Sequence, residues 1–555
     1  MSKRILVAVA WPYANGSIHL GQTAGCFLPA DIFARYHRLK GNDVLMVSGS
    51  DSHGTPVTLE AEKRGVSPKA VVSQYHAEFL DNWHRLGISF DLFTSTQTDN
   101  HHRVAQDMFL RLYENGFIYK DTMTQPYCVT DGRFLADRYV GGICPHCGFE
   151  GARGDQCDNC GRTLDPEELT NMVCLLCGDT PEIRHTEHFF LKLTAFEDKL
   201  LEWIRPREDW RPNVRNFSIS YLEGGLQDRA ITRDIDWGVP VPLDGYEGKR
   251  IYVWFEAVIG YLSASIEWAA ATGDPDRWKD FWQNDCRAYY FMGKDNIPFH
   301  TVIWPAMLMG YGGLNLPYDV PANEYLNLED QKISTSRNWA IWLPDYLDRH
   351  DPDALRYVLA ANMPETSDSD FSWREYVRGN NDELVATYGN LVHRVLTMSY
   401  RNFDGAVPEP GDLDGDANEL LAAARQRFDE TGENIAACRF RAGLRAAMSL
   451  AQATNRYLDR KEPWKTLKTD RTAAATALWV SIAVINCLKI AMYPVLPFSS
   501  ARLHAMLGLD GSVDDQGWTW DPRAIPGSWP LEQPEPLFAK LDEAIIEQET
   551  QRIGH

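Results

Sequence analysis

The chain has 555 residues, enough for three or four domains with well-buried cores. Its 77 acidic and 55 basic residues give a formal net charge of −22. This argues against a non-specific nucleic-acid binder, because such proteins cluster Lys and Arg against phosphates. A nucleic acid that meets only a local basic track is still compatible with this charge. The apolar content of 44% and the charged content of 24% are typical of a globular protein.

The first elements predict a β–α–β unit. Ile5 to Ala10 is an apolar run of strand length, and a helical pattern from about His19 ends at Lys40-Gly41, where glycine is the usual C-cap. Pro29 either kinks this helix or starts a second segment at its first turn. Asp43 to Val47 is a second buried strand, so we expect a parallel, doubly wound sheet.

Two apolar stretches indicate a folded interior and no membrane partner. The run behind Lys3 is too short for a signal peptide. Residues 473–498 carry Lys489 and Pro494, which favour a buried bundle helix over a membrane span. Seven of the 11 cysteines fall in residues 128–177, mostly as Cys-x-x-Cys pairs. In a chain without an export signal, this pattern indicates thiolate–metal chemistry in the cytoplasm and not disulfides.

The later elements extend this picture. Strand patterns resume at Ile251–Trp254 and Ala288–Gly293, so the cysteine-rich segment is predicted to be an insertion into the sheet domain. From Arg374 onward amphipathic helical patterns replace strands and predict a bundle of about five helices. The clearest of these helical patterns cover Asn380–Phe403, Ala417–Thr431 and Ala436–Leu458. Residues 508–537 are expected to be an extended wrap, before a final helix from about Leu537 to Arg552.

The predicted fold class is therefore α/β: a Rossmann-type sheet with an inserted zinc-knuckle domain, followed by an all-α bundle. The sequence predicts two halves of the sheet domain, the insertion, a loop region, the bundle and a C-terminal wrap. Their predicted boundaries are 1–115 and 231–320 for the two halves, 116–230 for the insertion, 321–375 for the loop region, 376–510 for the bundle and 511–555 for the wrap.

A histidine–glycine turn follows the first strand. His19-Leu20-Gly21-Gln22 lies where a strand ends and a helix begins, which in a parallel sheet is the ligand crevice and favours phosphate. His19 can donate a hydrogen bond to a phosphate oxygen, and Gly21 lets a flat base approach the backbone. A lone turn of this type would indicate only an N-cap histidine, but the preceding Pro12, Tyr13 and Asn15-Gly16 make the string rarer and favour a nucleotide site.

A loop of cations and hydroxyls stands far downstream. In Lys332-Ile333-Ser334-Thr335-Ser336-Arg337, the two cations can neutralise charge that develops on a leaving pyrophosphate, while Ser334 and Ser336 steady the loop. Taken alone, this hexamer would indicate a solvated surface turn. We expect it to converge with the His19 turn around one triphosphate.

Two pairs of cysteines have the spacing of a closed zinc site. Cys144, Cys147, Cys157 and Cys160 form two knuckles, and four thiolates leave no open position, so such a site is structural. Cys174 and Cys177 form a third knuckle, whose partner is Cys128 with Asp131. Three thiolates and one carboxylate can also hold zinc, and thiolates without metal are the alternative for this second group.

Several further residues are candidates for small-molecule contacts. Trp254, Ala257 and Tyr261 recur at helical spacing and can line an apolar slot, although core packing explains the same spacing. Asp295, after Gly293 at a strand end, is a plausible ribose-hydroxyl acceptor. Asp51, at the end of the second strand, can hold a substrate ammonium group.

The bundle carries residues suited to unpaired bases. Asn390 and Arg394 lie one turn apart on one face, and Pro463-Trp464 follows a later helix. Amide, guanidinium and indole groups together can read and stack unpaired bases. Each of them alone is better explained as a surface or packing residue.

Together these motifs resemble those of class I aminoacyl-tRNA synthetases, and within that class the methionyl-tRNA synthetase family. Pro12 to Gly21 is similar to the family's HIGH region, and residues 332–336 are similar to its KMSKS loop. The knuckles and later motifs follow in the family's order, over about residues 4–500. The resemblance implies a monomer that activates L-methionine with Mg-bound ATP, releasing pyrophosphate. It would then transfer methionyl to tRNA(Met) for translation initiation and elongation.

The resemblance also implies residue roles. Residues of the two signature segments would act in catalysis, namely His19, Gly21, Gln22, Lys332, Ser334, Thr335, Ser336 and Arg337. The methionine pocket would contain Trp11, Tyr13, Asp51, Trp254, Ala257, Tyr261 and His300. ATP would contact His19, Gly21, Gly293, Asp295 and Lys332, and the CAU anticodon would be read by Asn390, Arg394, Pro463 and Trp464.

Three positions depart from the family pattern. Trp11 stands where many relatives carry leucine. Gln22 replaces the second histidine of the HIGH region, and it can donate to a phosphate but never carries charge. Thr335 replaces the second lysine of the KMSKS loop, which removes a cation that Lys332 or Arg337 would have to supply.

Other proteins share parts of this pattern. Leucyl, isoleucyl and valyl synthetases carry a much larger editing insertion than residues 116–230 provide, and a cysteinyl synthetase would need a zinc ligand set inside its amino-acid pocket. A non-catalytic RNA-binding paralogue would keep the fold and lose the chemistry, and Gln22 and Thr335 keep that alternative open. A zinc-ribbon regulatory protein leaves the sheet motifs and the bundle unexplained.

Overall fold

A computed structural model describes residues 2–135, 139–154, 157, 159–160, 162, 164 and 166–554. The first part alternates strands and helices. Its elements are β1 (Arg4–Val9), α1 (Leu20–Gln22), α2 (Leu28–Leu39), β2 (Asp43–Ser50), α3 (Thr55–Arg64), α4 (Pro68–Leu86), β3 (Leu92–Ser95) and α5 (Asp99–Glu114). A π-helical segment, Thr23–Phe27, joins α1 to α2, and Pro29 lies in the first turn of α2, one of the two arrangements expected from the sequence.

The middle part contains the cysteines and two small antiparallel sheets. Its elements are β4 (Ile118–Cys128), β5 (Arg133–Phe134), β6 (Val140–Ile143), β7 (Ala152–Arg153), β8 (Thr170–Cys174), β9 (Glu182–Leu191), α6 (Glu197–Ile204), α7 (Pro212–Glu223) and β10 (Arg229–Ala230). Long β4 and β9 pair from Ile118↔Leu191 to Tyr127↔Glu182 and carry the three-stranded knuckle sheet β7-β6-β8 at their far end.

The strand–helix alternation then resumes. Its elements are β11 (Thr232–Arg233), β12 (Arg250–Ile251), α8 (Val253–Glu256), α9 (Gly260–Ala271), α10 (Lys279–Trp282), β13 (Cys286–Phe291) and α11 (Trp304–Tyr311). The predicted strand Ile251–Trp254 is wrong beyond Ile251, because the chain turns into a helix at Val253. A short apolar run does not distinguish a strand from a buried helix by itself, and burial here is against helices.

One parallel sheet organises these segments. Its strand order is β13-β1-β2-β3, and each neighbouring pair is parallel, as the sequence predicts. Alternate residues of β1 enter different cores: Ile5, Val7 and Val9 pack with α2, whereas Leu6 and Ala8 pack with α5 and α9. Helices therefore cover both faces, which explains why β1 is apolar from Ile5 to Val9.

A short linking region follows. Its elements are β14 (Leu326–Leu328), β15 (Gln331–Lys332), α12 (Leu343–Leu347), α13 (Pro352–Ala361), β16 (Ser369–Phe371) and α14 (Trp373–Arg378). The strands form a three-stranded sheet in the order β15-β14-β16, and the segment 333–342 leaves this sheet toward the carboxyl end of β1. The link therefore carries the predicted loop of cations to the ligand edge of the main sheet.

The rest of the chain is helical, as predicted: residues 372–554, all described, contain no strand. After a π-helical segment, Gly379–Gly389, the helices are α15 (Asn390–Asn402), α16 (Gly415–Ala436), α17 (Phe440–Lys461), α18 (Pro463–Thr466), α19 (Arg471–Met492), α20 (Pro497–Met506), α21 (Val513–Gln516) and α22 (Ala544–Thr550). Only α19 has the length and hydropathy of a membrane span among the described helices, and it is wholly buried in the bundle. The predicted last helix from Leu537 to Arg552 is too long, since only Ala544–Thr550 is helical.

Candidate active site

The His19 turn is built as a helix cap. His19 is the N-cap of α1: its ring Nδ1 accepts from the backbone N–H of Gly21 at 3.1 Å, and its own N–H donates to Oε1 of Gln22 at 3.0 Å. Burial lowers the pKa of His19 to about 4, so the ring is neutral near pH 7. Because Nδ1 accepts, the ring proton lies on Nε2, which can donate a hydrogen bond without carrying charge.

The two distant signature segments meet, as the sequence predicts. Leu20 N–H donates to the carbonyl of Ile341 at 3.1 Å, and Leu343 N–H donates to the carbonyl of Ile18 at 2.7 Å. A Cβ atom on Gly21 would lie 3.0 Å from the Cδ1 atom of Ile333, so the glycine lies close against the side chain of that loop. The turn and the loop of residues 332–337 therefore lie next to each other.

The loop of cations has its own backbone support. Ser334 and Trp339 exchange two backbone hydrogen bonds of 2.9 Å, and Asn338 adopts the left-handed φ of 52° that closes the loop. The hydroxyls of Ser334 and Ser336 are 3.3 Å apart. A short helical turn, Thr335–Arg337, presents its side chains to solvent.

Tyr325 connects the two predicted ATP-contacting segments. Its hydroxyl donates to Asp295, which follows Gly293 at the end of β13, and the Nζ atom of Lys332 lies 4.9 Å from the centre of its ring. The Nζ atom of Lys294 is closer, at 3.9 Å, and also contacts Glu324 at 2.7 Å. No sequence pattern signals Tyr325, because a single tyrosine before a three-residue strand has no diagnostic spacing.

Tyr261 and His300 form a buried pair. The ring Nδ1–H of His300 donates to the carbonyl of Asn296 at 2.9 Å, so Nε2 accepts from the Tyr261 hydroxyl at 2.8 Å. Burial lowers the pKa of His300 to about 4 and raises the pKa of Tyr261 well above its ordinary value. Both groups are therefore neutral near pH 7, which suits an uncharged substrate side chain.

Asp51, Tyr13 and Trp254 form the neighbouring wall. Backbone hydrogen bonds of 2.8 Å join Ala14 N–H to the Asp51 carbonyl and Asp51 N–H to the Pro12 carbonyl, which place Tyr13 beside Asp51. The indole N–H of Trp254 donates to the Tyr13 hydroxyl at 2.8 Å. Burial raises the pKa of the Asp51 carboxyl well above its ordinary value, and the Glu256 carboxylate raises it further.

The pocket residues around Trp254 do not share one helix face, which corrects the expectation from spacing. Trp254 lies on α8 and is 37% exposed, Ala257 begins a separate 3-10 turn, and Tyr261 lies on α9 and is 2% exposed. The change of helix type at Ala257 rotates the following residues relative to Trp254. Trp254 instead packs edge-on against Phe299, next to His300.

Trp11 fills a gap that two glycines leave open. A Cβ on Gly49 would lie 2.4 Å from the Trp11 ring, and one on Gly260 would lie 2.7 Å from it. The large indole is therefore accommodated between β2 and α9, and its N–H has no hydrogen-bond partner among the described residues. This packing explains how a tryptophan fits beside Tyr261.

A buried cluster of two histidines and a glutamate lies behind the pocket. Glu256 accepts from His53 at 2.7 Å and from His101 at 2.5 Å, and all three side chains are at most 1% exposed. Sequence patterns do not reveal this cluster, because its members come from three distant segments of the chain.

Both predicted cysteine groups are assembled. In each group the four candidate ligand atoms lie within 4.8 Å of one another. In the tetrathiolate, Cys144 and Cys160 are 4.0 Å apart and Cys147 and Cys157 are 3.6 Å apart between their sulfurs. Tetrahedral zinc with sulfurs at about 2.3 Å separates them by about 3.8 Å, so this group can hold a metal ion.

The mixed group contains three thiols and one carboxylate. Its sulfurs Cys128 and Cys177 are 3.4 Å apart, and the Cys174 thiol donates to Asp131 at 3.0 Å. This donor set also suits a divalent metal ion. The two groups lie at opposite ends of the antiparallel β6–β8 pair, one after β6 and the other at the end of β8.

The bundle brings two predicted base-reading side chains together. The Arg394 guanidinium lies 5.3 Å from the centre of the Trp464 ring, and it donates to Asn455 at 3.2 Å. Asn390 is exposed one turn before Arg394 on α15, and Trp464 is 37% exposed on α18, just after buried Pro463. Together Trp464, Arg394 and Asn390 form a solvent-facing platform of indole, guanidinium and amide groups.

Comparisons with known proteins point to one family. A family model described as "tRNA synthetases class I (M)" matches residues 5–396, and one described as "Anticodon binding domain of methionyl tRNA ligase" matches residues 407–554. A methionine–tRNA ligase from Dehalococcoides mccartyi is 59% identical over 554 residues, covering 100% of both chains. One from Thermomicrobium roseum is 53% identical and covers 100% of this chain and 99% of the relative.

Solved structures agree as well. The fold matches that of Mycobacterium tuberculosis methionyl-tRNA synthetase in complex with methionyl-adenylate with a TM-score of 0.81 and 27% identity, covering 97% of this chain and 99% of that one. The free form of the same enzyme matches with a TM-score of 0.73 and 26% identity, covering 98% and 99%. By the extent of these matches, the chain belongs to the methionyl family of class I aminoacyl-tRNA synthetases, the methionine–tRNA ligases.

Proposed function

We propose that this protein activates L-methionine with ATP and transfers the methionyl group to tRNA(Met). The observation that carries this proposal is the meeting of the His19 turn with the loop of residues 332–337 beside the Tyr261–His300 pocket. We infer that a nucleotide site at the turn and the loop adjoins an amino-acid pocket at Tyr261 and His300. Family membership supplies the reaction class.

In the first step a carboxylate oxygen of methionine attacks the α-phosphorus of ATP. The bond to the bridging oxygen breaks, pyrophosphate leaves, and methionyl-adenylate forms. In the second step a hydroxyl of the terminal ribose of tRNA attacks the acyl carbon, and AMP leaves. Magnesium enters with ATP and offsets phosphate charge.

His19, Gly21 and the loop of cations are proposed to serve the phosphates. The neutral His19 ring donates from Nε2, Gly21 leaves room for the nucleotide, and Lys332 and Arg337 supply positive charge for the departing pyrophosphate. Ser334 and Ser336 support the loop that carries Thr335. Gly293 and Asp295 would lie at the ribose of ATP.

The amino-acid pocket is proposed to recognise both ends of methionine. Asp51 and Tyr13 would take the ammonium group, and Tyr261, His300, Trp254 and Ala257 would surround the thioether. Because Tyr261 and His300 are neutral, they favour an uncharged side chain over a lysine or glutamate of similar length. Trp11 would close the inner wall of the pocket.

The bundle is proposed to read the anticodon. Trp464 would stack on an unpaired base, Pro463 would fix the position of that ring, and Asn390 and Arg394 would hydrogen-bond to base edges. The Arg394–Trp464 contact preorganises two of these groups before tRNA arrives.

Zinc is the proposed metal of the knuckles. Cys144, Cys147, Cys157 and Cys160 would hold one structural zinc ion, and Cys128, Asp131, Cys174 and Cys177 a second and weaker one, since a carboxylate replaces one thiolate. Neither would take part in the reaction. We further propose that the protein acts as a cytoplasmic monomer with the six domains given by the sequence.

Methionine-dependent exchange of pyrophosphate into ATP tests the proposal. We expect exchange with the wild type and a loss of about 10²- to 10³-fold in His19→Asn, which keeps an N-cap acceptor but lacks the Nε2 donor. Arg394→Ala should keep exchange and lose about 10- to 100-fold in kcat/KM for tRNA. A folded wild type that binds tRNA without exchange would identify a non-catalytic RNA-binding paralogue.

Metal analysis tests the zinc sites. We expect two zinc ions per chain as purified and one after mild chelation, because the mixed group should release its ion first. Asp131→Cys should make the second ion as resistant to chelation as the first. A protein that never binds more than one ion would refute the second site.

A further inference from the structure

The buried cluster behind the pocket has no role in the reaction described so far. Glu256 on α8 is 0% exposed, and its two oxygens face two different histidines: His53, after β2, and His101, on α5. A buried charged carboxylate is costly unless donors surround it. Nothing about α8 packing alone requires a charged residue at this position.

Hydrogen-bond accounting shows the direction of these contacts. The Ser263 hydroxyl donates to the carbonyl of Gly260 at 3.1 Å, so it accepts from Nδ1–H of His101 at 2.9 Å. His53 donates from Nε2 to Oε1 of Gln97 at 2.8 Å and from Nδ1 to Glu256. Burial alone would raise the pKa of Glu256, but His53 and His101 outweigh burial and hold it below its ordinary value.

The same cluster touches Asp51, the proposed ammonium ligand. The backbone N–H of His53 points at Oδ1 of Asp51 at 3.4 Å, and Glu256 is the charged group that most strongly disfavours an ionised Asp51 after burial itself. Two carboxylates in one dry region resist ionising together unless positive charge lies between or behind them. His53 and His101 each hydrogen-bond to one oxygen of Glu256, and together they hold its pKa below the ordinary value.

We propose that His53 and His101 are positioning residues that hold the Glu256 carboxylate from two sides, so that the neighbouring Asp51 can take the ammonium group of methionine. This inference rests on the proposed function. It assigns the cluster a part in amino-acid recognition: Glu256 ties α8, which carries Trp254, to the loop that carries Asp51.

Other titratable groups lie around Asp51 and Glu256, and their charges also contribute to any pH dependence. They come from the segment after β1, from the π-helical segment before α2, from α5 and from α9, and are Tyr13, Cys26, Asp99, His102, Tyr261 and Glu267. Cys26 and Tyr261 stay neutral because burial raises the pKa of each. His102 is also neutral near pH 7, since burial lowers its pKa to about 4.

Methionine binding should therefore be coupled to the loss of a proton from Asp51. In the empty pocket Asp51 holds a proton to a higher pH than an ordinary aspartate, and the ammonium group of methionine binds only the ionised form. Methionine binding therefore releases a proton from Asp51. The affinity for methionine should rise with pH through the raised pKa of Asp51 and level off above it.

The pH profile of kcat/KM for methionine in the exchange assay tests the proposal. Glu256→Gln removes the repelling charge, so the acid limb should move to lower pH. His101→Gln leaves Glu256 less compensated, so the limb should move to higher pH, in each case by about one unit or more. A purely structural role would not move the limb in opposite directions. His53→Gln should behave like His101→Gln.

Control measurements distinguish a failure of the proposed ammonium ligand from a failure of the positioning role. His37→Gln, a buried histidine on α2 away from the pocket, should leave the acid limb in place. If Asp51→Asn keeps a normal KM for methionine, the assigned ammonium ligand is wrong and the proposed function needs revision. If Asp51→Asn loses binding but the Glu256 and histidine variants shift the limb in the same direction, or not at all, the positioning role is refuted.

A second measurement needs no variant and therefore does not depend on folding. Titration calorimetry of methionine into the wild type, in buffers of different ionisation enthalpy, should show release of up to one proton on the acid side of the limb. The released fraction should vanish on the plateau. Binding without proton release at any pH would overturn the proposal even if every variant fails to fold.

Discussion

Gln22 shows how one substituted residue can keep part of a motif's role. Its Oε1 accepts from the backbone N–H of His19 at 3.0 Å and completes a capping box with that residue. Because the cap holds Oε1, the side-chain NH₂ group of Gln22 remains available to donate a hydrogen bond. A histidine at the same position could carry charge, whereas Gln22 supplies a neutral donor, consistent with the neutral ring of His19.

We predict that Gln22→Glu preserves the cap and damages nucleotide use. A glutamate also accepts from the His19 N–H, so the melting temperature should stay close to the wild-type value. The new negative charge near the phosphates should lower kcat/KM for ATP by about tenfold or more. Exchange kinetics at varied ATP and a thermal melt measure the two effects.

The control for this variant is Gln22→Ala, which loses the cap as well as the donor. It should lower stability by about 0.5–2 kcal/mol and also weaken ATP use. If Gln22→Glu uses ATP as well as the wild type, the amide does not face the phosphates.

At the scale of elements, the C-terminal segment holds the signature loop. Glu549 on α22 accepts from Arg349 at 2.9 and 2.8 Å and contacts His350 at 3.3 Å. The N–H of Gly554 then donates to the carbonyl of Asn338, inside the loop, at 3.1 Å. A seven-residue helix this short is unstable alone, so these contacts decide where it lies.

We predict that Glu549→Gln loosens this segment. Losing the charged hydrogen bonds should lower the free energy of unfolding by about 1.5–3 kcal/mol and speed backbone hydrogen exchange across residues 544–554. Glu547→Gln, on the exposed side of the same helix, is the matched control and should change neither. Equal exchange in both variants would show that Glu549 does not anchor α22.

At the scale of the whole molecule, Arg356 joins the sheet domain to the bundle. This fully buried side chain on α13 donates to Asp31 of α2 at 2.6 Å and to the carbonyls of Pro494 and Val495, both at 2.8 Å. Asp31 also accepts from Arg35, and these two arginines hold the pKa of Asp31 at about 2 although burial would raise it. These contacts connect α2 of the sheet domain to the bundle through α13.

We predict that Arg356→Met destabilises the protein strongly. The variant removes one of the two arginines that neutralise Asp31 and leaves the carbonyls of Pro494 and Val495 without this donor, which should cost about 3–5 kcal/mol in chemical denaturation. Arg460→Met, an exposed arginine on α17 with a 3.8 Å contact to Asp416, should cost less than about 1 kcal/mol. Similar losses in both variants would argue against a joint at Arg356.

Acid should destabilise the molecule through its buried histidines. The pKa of His37 falls to about 3, first because of burial and then because of Lys3, Arg287 and Lys40. Below the ordinary histidine pKa of 6.5 the unfolded chain binds a proton that folded His37 does not. Stability is therefore full above about pH 6.5 and is lost as the pH falls toward about 3.

We predict that His37→Gln reduces this acid sensitivity. The slope of unfolding free energy against pH should decrease by up to about 1.4 kcal/mol per unit between about pH 6 and 4. Denaturant unfolding at several pH values measures the slope. An unchanged slope would mean that His37 titrates alike in both states.

Much of this protein could be predicted from the sequence. The apolar run of β1, the Cys-x-x-Cys spacing and the helical periodicity after Arg374 are local patterns, and local patterns reflect which faces are buried. They predict the parallel sheet, both cysteine groups and the bundle. The short apolar segment at Val253 misled because strands and buried helices share that composition, and the last helix was overextended because its ends are set by contacts and not by capping residues.

By itself the sequence determined the fold class, the family and the identity of the signature residues, because each depends on residue types at short spacing. Only the tertiary structure decided that Ile333 lies against Gly21 and that Tyr325 contacts both Asp295 and Lys332. It also decided that His53 and His101 both hydrogen-bond to Glu256 beside Asp51. These contacts join segments far apart in the chain, and their energies come from burial and charge, which no local pattern records.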